Sequence, residues 1–196
     1  MNEKLINKFI SNKRLLSHGD NIDEYKINLK KSKQLYIPLS ILEVSLRNSI
    51  NELFEKLYGR GWLINEASFL KQKELEKIYQ AKNKLKVKKE EITKDKLIAE
   101  LSFGFWTALF QMAYKEKMRF NNLKQIFPNI PSKEKKEIDR KIISSKLNYI
   151  REFRNRVFHH ENINKSKYNT IENEIYEILE FFDKEVSVFT KNLNNE

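Results

Sequence analysis

Apolar residues recur along most of this chain at three- and four-residue spacing, the interval at which side chains stack on one face of an α-helix. Leu5, Phe9 and Leu16 mark a short amphipathic helix over residues 3–17, stopped by Ser17-His18-Gly19-Asp20. A longer helical stretch runs from about Ile22 to Tyr58, with a kink or break expected just before Pro38. Its second half carries the core-facing stripe Leu39, Leu42, Leu46, Ile50, Leu53 and Leu57, and Gly59 ends it. After a loop to about Ser68, residues 71–96 predict a surface helix in which ten lysines and five acidic residues surround a thin line of Leu75, Ile78, Leu85 and Val87. The run LIAELSFGFWTALFQMAY that follows is apolar on nearly all sides, as a central helix of a bundle is. Residues 121–131, with Pro128 and Pro131, read as a connection. Ser132, Glu134 and Lys135 resemble a helix start, and that helix continues to about Phe158. A last helix spans roughly Tyr168 to Leu193, with Ile171, Ile175, Ile178, Leu179, Phe182 and Val186 facing inward. The expected fold is all-α, a single domain over residues 1–196 built as a bundle of five to six mostly antiparallel helices.

Composition supports this picture and removes several chemistries. Four Gly and three Pro leave few turns for a many-stranded protein, while 13 Phe and 8 Tyr can fill a sizeable core. The absence of Cys excludes disulfides, Cys-ligated zinc, iron-sulfur clusters and thiol nucleophiles. The start MNEKLINKFISNKR has no apolar core followed by small residues, so no secretory signal is read there and a cytoplasmic location is expected. Leu97 to Ala113, the most apolar run, contains Glu100 and Gln111 and falls short of the ~20 residues that cross a bilayer, so no membrane association is expected. The net charge of +11 favours a polyanionic partner. Its basic segments, Lys71 to Lys96 and Lys133 to Arg151, are the candidate RNA-binding surfaces, although solvated helix faces also accumulate lysine.

The chemistry gathers in one segment. Of three histidines, His18, His159 and His160, two follow directly on Arg154-Asn155-Arg156. A metal site is poorly supported, because adjacent histidines project about 100 degrees apart on a helix and Glu161 is the sole nearby carboxylate that could join them. Ser144, Ser145 and Ser166 lack a nucleophile elbow, and no Gly-rich phosphate loop is present. No cofactor is expected. Metal-free cleavage of RNA asks for less: a base for the 2′-hydroxyl, an acid for the 5′-oxygen and a cation for the charge developing on phosphorus. His and Arg supply all three, and Asn can orient either.

Helical spacing constrains how they meet. Arg154 continues the apolar row of Ile143, Leu147 and Ile150, whereas His159 continues the polar row of Asn148, Glu152 and Asn155. Arg154 and His159 point about 140 degrees apart on a straight helix, so they share a phosphate only if the helix ends near Val157 or two chains build the site together. A homodimer with a composite cleft is therefore expected. An Arg on an apolar row also needs an acidic partner or a partly open site. The alternative reading is structural: Arg154 pairs with a carboxylate from another helix, Asn155 caps the helix, and His159 and His160 sit at its negative end.

Arg154-Asn155-Arg156-Val157-Phe158-His159-His160-Glu161 resembles the RNxxxHHE form of the HEPN motif, in which an Arg and a His stand a few residues apart. LSFGFWTALF (Leu101 to Phe110), LEVSLRNSI (Leu42 to Ile50) and YGRGWL (Tyr58 to Leu63) resemble blocks of the Abi-like abortive-infection proteins of the AbiD and AbiF type, and the likeness covers about residues 11–165. The resemblance implies a bacterial antiphage or toxin-antitoxin protein, dimerisation across the motif, and metal-independent endoribonuclease activity leaving a 2′,3′-cyclic phosphate. It gives Arg154 and His159 the catalytic positions and Asn155 the orienting one. Arg156, His160 and Glu161 take supporting or RNA-binding places, and Arg47-Asn48 would line the same cleft. The alternative for Arg47 is a surface ion pair with Glu43 one turn away. RNA is the implied partner, as substrate and as a structured noncoding antitoxin. A second function remains open, a catalytically silent HEPN module binding RNA or a protein as scaffold or antitoxin.

Overall fold

Asn21 accepts hydrogen bonds from the backbone N–H groups of Asp23 and Glu24 at 2.8 and 3.4 Å, and so opens the longest helix of the chain, Ile22–Tyr58. The computed structural model describes residues 5, 8–131 and 138–195, and among them every regular element is helical. A short helix α1 (Asn12–Leu16) precedes α2 (Ile22–Tyr58). There follow α3 (Gln72–Val87), α4 (Lys94–Glu100), α5 (Phe103–Ala108), α6 (Phe120–Ile126), α7 (Arg140–Phe158), α8 (Ile171–Phe182) and α9 (Lys184–Asn195). All-α is the fold class, with nine helices among the described residues where five or six were expected.

The difference in number comes from local stop signals inside apolar runs. The expected helix over residues 71–96 ends at Val87: Lys89 adopts a left-handed φ of 55°, and the N–H groups of Lys89 and Glu90 return to the carbonyls of Lys86 and Leu85. That is a Schellman ending. Thr93 then caps α4 by accepting from the N–H of Lys96 at 3.3 Å. The apolar run 97–114 breaks at Leu101 and Ser102, both extended, between α4 and α5. The expected final helix divides at Asp183, whose carboxylate accepts from the N–H of Glu185 at 2.7 Å and starts α9. Residues 121–131 are not merely a connection, because Leu123 and Ile126 of α6 are buried. The helix start proposed at Ser132, Glu134 and Lys135 lies outside the described residues. α7 is capped instead by Asp139, which accepts from the N–H of Ile142 at 2.8 Å.

Pro38 does not break α2, which continues through it. Its ring is buried within the stripe Leu35, Leu39, Leu42, Leu46, Ile50 and Leu53. Burying each such side chain contributes about 1.5–3 kcal/mol, so the stripe together outweighs the ~3 kcal/mol that an interior proline costs a helix. Leu57, expected on that stripe, is 44% exposed in the final turn. Val87, expected on the apolar line of α3, is 84% exposed at that helix's end.

α2 is the hub of the bundle, packing against α5, α6, α7, α8 and α9. Its stripe joins Ile143, Leu147, Ile150 and Phe153 of α7 and Ile171, Ile175, Ile178 and Leu179 of α8 in one contiguous core. The aromatic block Phe103, Phe105, Trp106 and Phe110 is likewise buried. α7 is thus held between α2, α5 and α8, which fixes what its last turns face.

Candidate active site

The apolar row of α7 ends in Phe153 and Val157, and Arg154 sits beside it where α7 crosses α2. Its side chain is 22% exposed. Nε and Nη2 donate to one oxygen, Oε2, of Glu43 on α2, at 3.2 and 3.0 Å. Its Cζ lies 3.9 Å from the centre of the Phe158 ring, one turn ahead on the same helix, and Phe158 stacks on Tyr36 of α2 at 5.5 Å. The guanidinium is therefore fixed by a carboxylate and an aromatic face. The Nη1 donors are not used by Glu43. This is the acidic partner that an Arg on an apolar row demands, and it is the arrangement the structural alternative anticipates.

Arg154 and Asn155 line a cleft of about 330 Å³ between α3, α5 and α7. Lys73, Glu74, Lys77, Ser102, Gly104, Thr107 and Arg151 also line it. Nζ of Lys77 donates to the carbonyl of Gly104 at 3.3 Å and stands 3.6 Å from Glu74. Burial pushes the Lys77 ammonium below the ordinary lysine range; Glu74 opposes that shift, while Lys73 and Arg151 add to it. The cleft is strongly cationic.

His159 caps the C-terminus of α7, its N–H bonding the carbonyl of Asn155 at 2.9 Å, and its ring is exposed. It is not among the residues that line the Arg154 cleft. The helix ends at Phe158, one residue past Val157, and even so His159 does not join the residues that line the Arg154 cleft. His160 takes a left-handed φ of 54°, and the N–H groups of His160 and Glu161 bond the carbonyls of Val157 and Arg156 at 3.1 and 2.8 Å. His160 is thus the turning residue of a Schellman ending, a position usually given to Gly or Asn. Its side chain borders a separate, apolar groove with Tyr36, Ile37, Phe158 and Leu193.

Arg156 and Glu161 hold each other. Nη1 of Arg156 donates to Glu161 at 2.8 Å, and Nε donates to the hydroxyl of buried Tyr168 at 3.1 Å. The buried Asn28 of α2 completes this fastening, donating to the carbonyl of Glu161 at 3.3 Å and accepting from the N–H of Ile163 at 2.8 Å. Arg47 does not form the alternative ion pair with Glu43, which is taken by Arg154; Nε of Arg47 is buried without a partner. Neither Arg47 nor the exposed Asn48 is among the residues lining the Arg154 cleft.

Sequence reasoning missed Glu43 as the partner of Arg154, and missed Thr107; Lys77 and Arg151 fall inside the two basic segments it named, but were not singled out. Phe158, four residues after Arg154, carried the readable signal of a same-face neighbour. No family model, curated protein or solved structure matches this chain. Among the described residues no cluster of His, Asp and Glu could hold a metal ion, and no helix is long and apolar enough to cross a membrane.

Proposed function

We propose that this chain is a metal-independent endoribonuclease of the HEPN kind, acting as a homodimer in the cytoplasm as the toxin of a bacterial antiphage or toxin-antitoxin system. The observation that carries the reading is a fixed guanidinium, Arg154, with Asn155 next to it at the cleft and an exposed imidazole, His159, capping the same helix. On a straight helix those two groups diverge by about 140 degrees, so the second subunit completes the site, each copy lending its His159 to the other's Arg154. His159 removes the 2′-hydroxyl proton, and the oxygen attacks phosphorus. Arg154 neutralises the charge gathering on the non-bridging oxygens. The 5′-oxygen leaves with a proton from an imidazolium, giving a 2′,3′-cyclic phosphate and a 5′-hydroxyl. Asn155 orients the reacting groups. A structured noncoding RNA is the proposed restraint on this activity, consistent with the +11 charge.

A specific observation also favours a second reading. Because Arg154 already has a carboxylate partner, a catalytically silent module that binds RNA or protein would look the same in this respect. The deciding experiment compares wild type with His159→Ala, scoring growth on expression and cleavage of RNA with chelator present. Toxicity and cyclic-phosphate ends lost in the variant support the nuclease. Equal growth, with RNA bound by both and cut by neither, supports the silent module.

A further inference from the structure

The cleft between α3, α5 and α7 contains more hydrogen-bond donors than its own acceptors use. Thr107 is 1% exposed and its hydroxyl has no partner. Nε of Arg151 is buried and also has none, while Nη2 of the same side chain reaches only Asn148, at 3.4 Å. Buried polar groups in native proteins are almost always paired, and each one left unpaired costs about 1–3 kcal/mol. Thr107 and Arg151 line the same cleft, so both unpaired groups belong to its walls.

The chemistry of a ligand for this cleft follows from what is left over. Arg and Lys nitrogens can only donate, so the absent partner must accept. Glu74 is the one acid lining the cleft; one of its oxygens faces Lys77 at 3.6 Å and the other accepts from the Tyr114 hydroxyl. Against it stand Lys73, Lys77, Arg151 and Arg154, the last already paired with Glu43. A cavity of about 330 Å³ is roughly ten times the ~30 Å³ share of one water, so it has room for an oxyanion bearing a substituent.

We infer that this cleft binds a phosphate group, held by Lys77, Arg151 and the hydroxyl of Thr107. The phosphate is either that of a small phosphorylated molecule or one in an RNA strand flanking the bond to be cut; the second source rests on the endoribonuclease reading, the phosphate chemistry does not.

Calorimetry on the full chain in phosphate-free buffer tests this with inorganic phosphate, adenosine 5′-monophosphate, adenosine, and a 2′-O-methyl oligonucleotide that cannot be cleaved. Phosphate and the monophosphate bind and adenosine does not, and Thr107→Val and Lys77→Met each weaken phosphate at least ten-fold, the factor that ~1.4 kcal/mol corresponds to. Without phosphate, Thr107→Val melts no lower than wild type, because it removes a hydroxyl that had no partner. An oligonucleotide weakened by Lys77→Met assigns the phosphate to an RNA strand. One that binds wild type and Lys77→Met equally, while inorganic phosphate does not, assigns it to a small molecule. No phosphate binding, phosphate binding unchanged in both variants, or a Thr107→Val protein that melts lower in phosphate-free buffer overturns the inference. None of these readouts requires cleavage, so an inactive nuclease and an empty cleft are distinguishable.

Discussion

Arg154 and Glu43, 111 residues apart, meet where α7 crosses α2, with two guanidinium N–H groups converging on one carboxylate oxygen. In the nuclease reading Glu43 is a positioning residue, because it touches Arg154 and not the scissile phosphate. Glu43→Gln keeps the shape and removes the charge. Cleavage should lose about ten-fold in kcat with KM unchanged or lower, since the freed guanidinium still binds phosphate but no longer waits in place. Steady-state kinetics on a short RNA check this. A rise in KM with kcat intact contradicts it.

The two adjacent histidines should separate cleanly. His159 has an exposed ring, and surface substitutions typically move stability by less than about 0.5 kcal/mol, so His159→Ala should leave the melting temperature in place while removing at least about 100-fold in cleavage. His160 is held left-handed at the end of α7, where glycine has no steric penalty. His160→Gly should therefore match or exceed wild-type stability and keep cleavage. Thermal melts and cleavage assays on both variants decide the matter.

The divisions of labour in this segment were only partly legible in the sequence. The end of α7 at Phe158, the stop at Gly59 and the burial of the SFGFW block follow from periodicity and breakers, which are local properties. Asp183 as a cap and the Schellman turns at Lys89 and His160 are local too, but non-Gly residues in left-handed backbone give no compositional warning. The Glu43 pair and the donors around Thr107 were illegible for a different reason. They depend on which helix faces α7, and one-dimensional spacing does not contain a crossing.

Arg156 and Glu161 fasten the segment after α7 through their ion pair and the Tyr168 hydroxyl. Arg156→Ala breaks the ion pair and removes the guanidinium that donates to the buried Tyr168 hydroxyl, and should cost about 1–3 kcal/mol. Denaturant unfolding measures that loss. Binding of an uncleavable RNA should be unchanged at a temperature where the variant is folded, and a large loss of affinity there would return Arg156 to the RNA interface.

Acid stability carries another signature. The Lys94 ammonium beside Glu55 holds that carboxyl below its ordinary value of 4.5, with Asn51 helping and burial opposing. A carboxyl depressed in the folded state stabilises the fold fully above its unfolded value and loses that contribution as pH falls through the lowered one. Melting temperature should thus decline below about pH 4.5, and Glu55→Gln should flatten the acid limb relative to wild type. An identical acid limb in the variant assigns the decline to other carboxylates.

The composite site makes a demand that no single-chain site can meet, and mixing two dead variants measures it. Arg154→Ala and His159→Ala proteins, each inactive alone, are unfolded together, refolded and assayed. Half of randomly formed dimers pair one variant with the other, and each such dimer has one of its two sites intact, so about a quarter of wild-type activity should return. A mixture as inactive as its parts would show that Arg154 and His159 do not meet across two subunits.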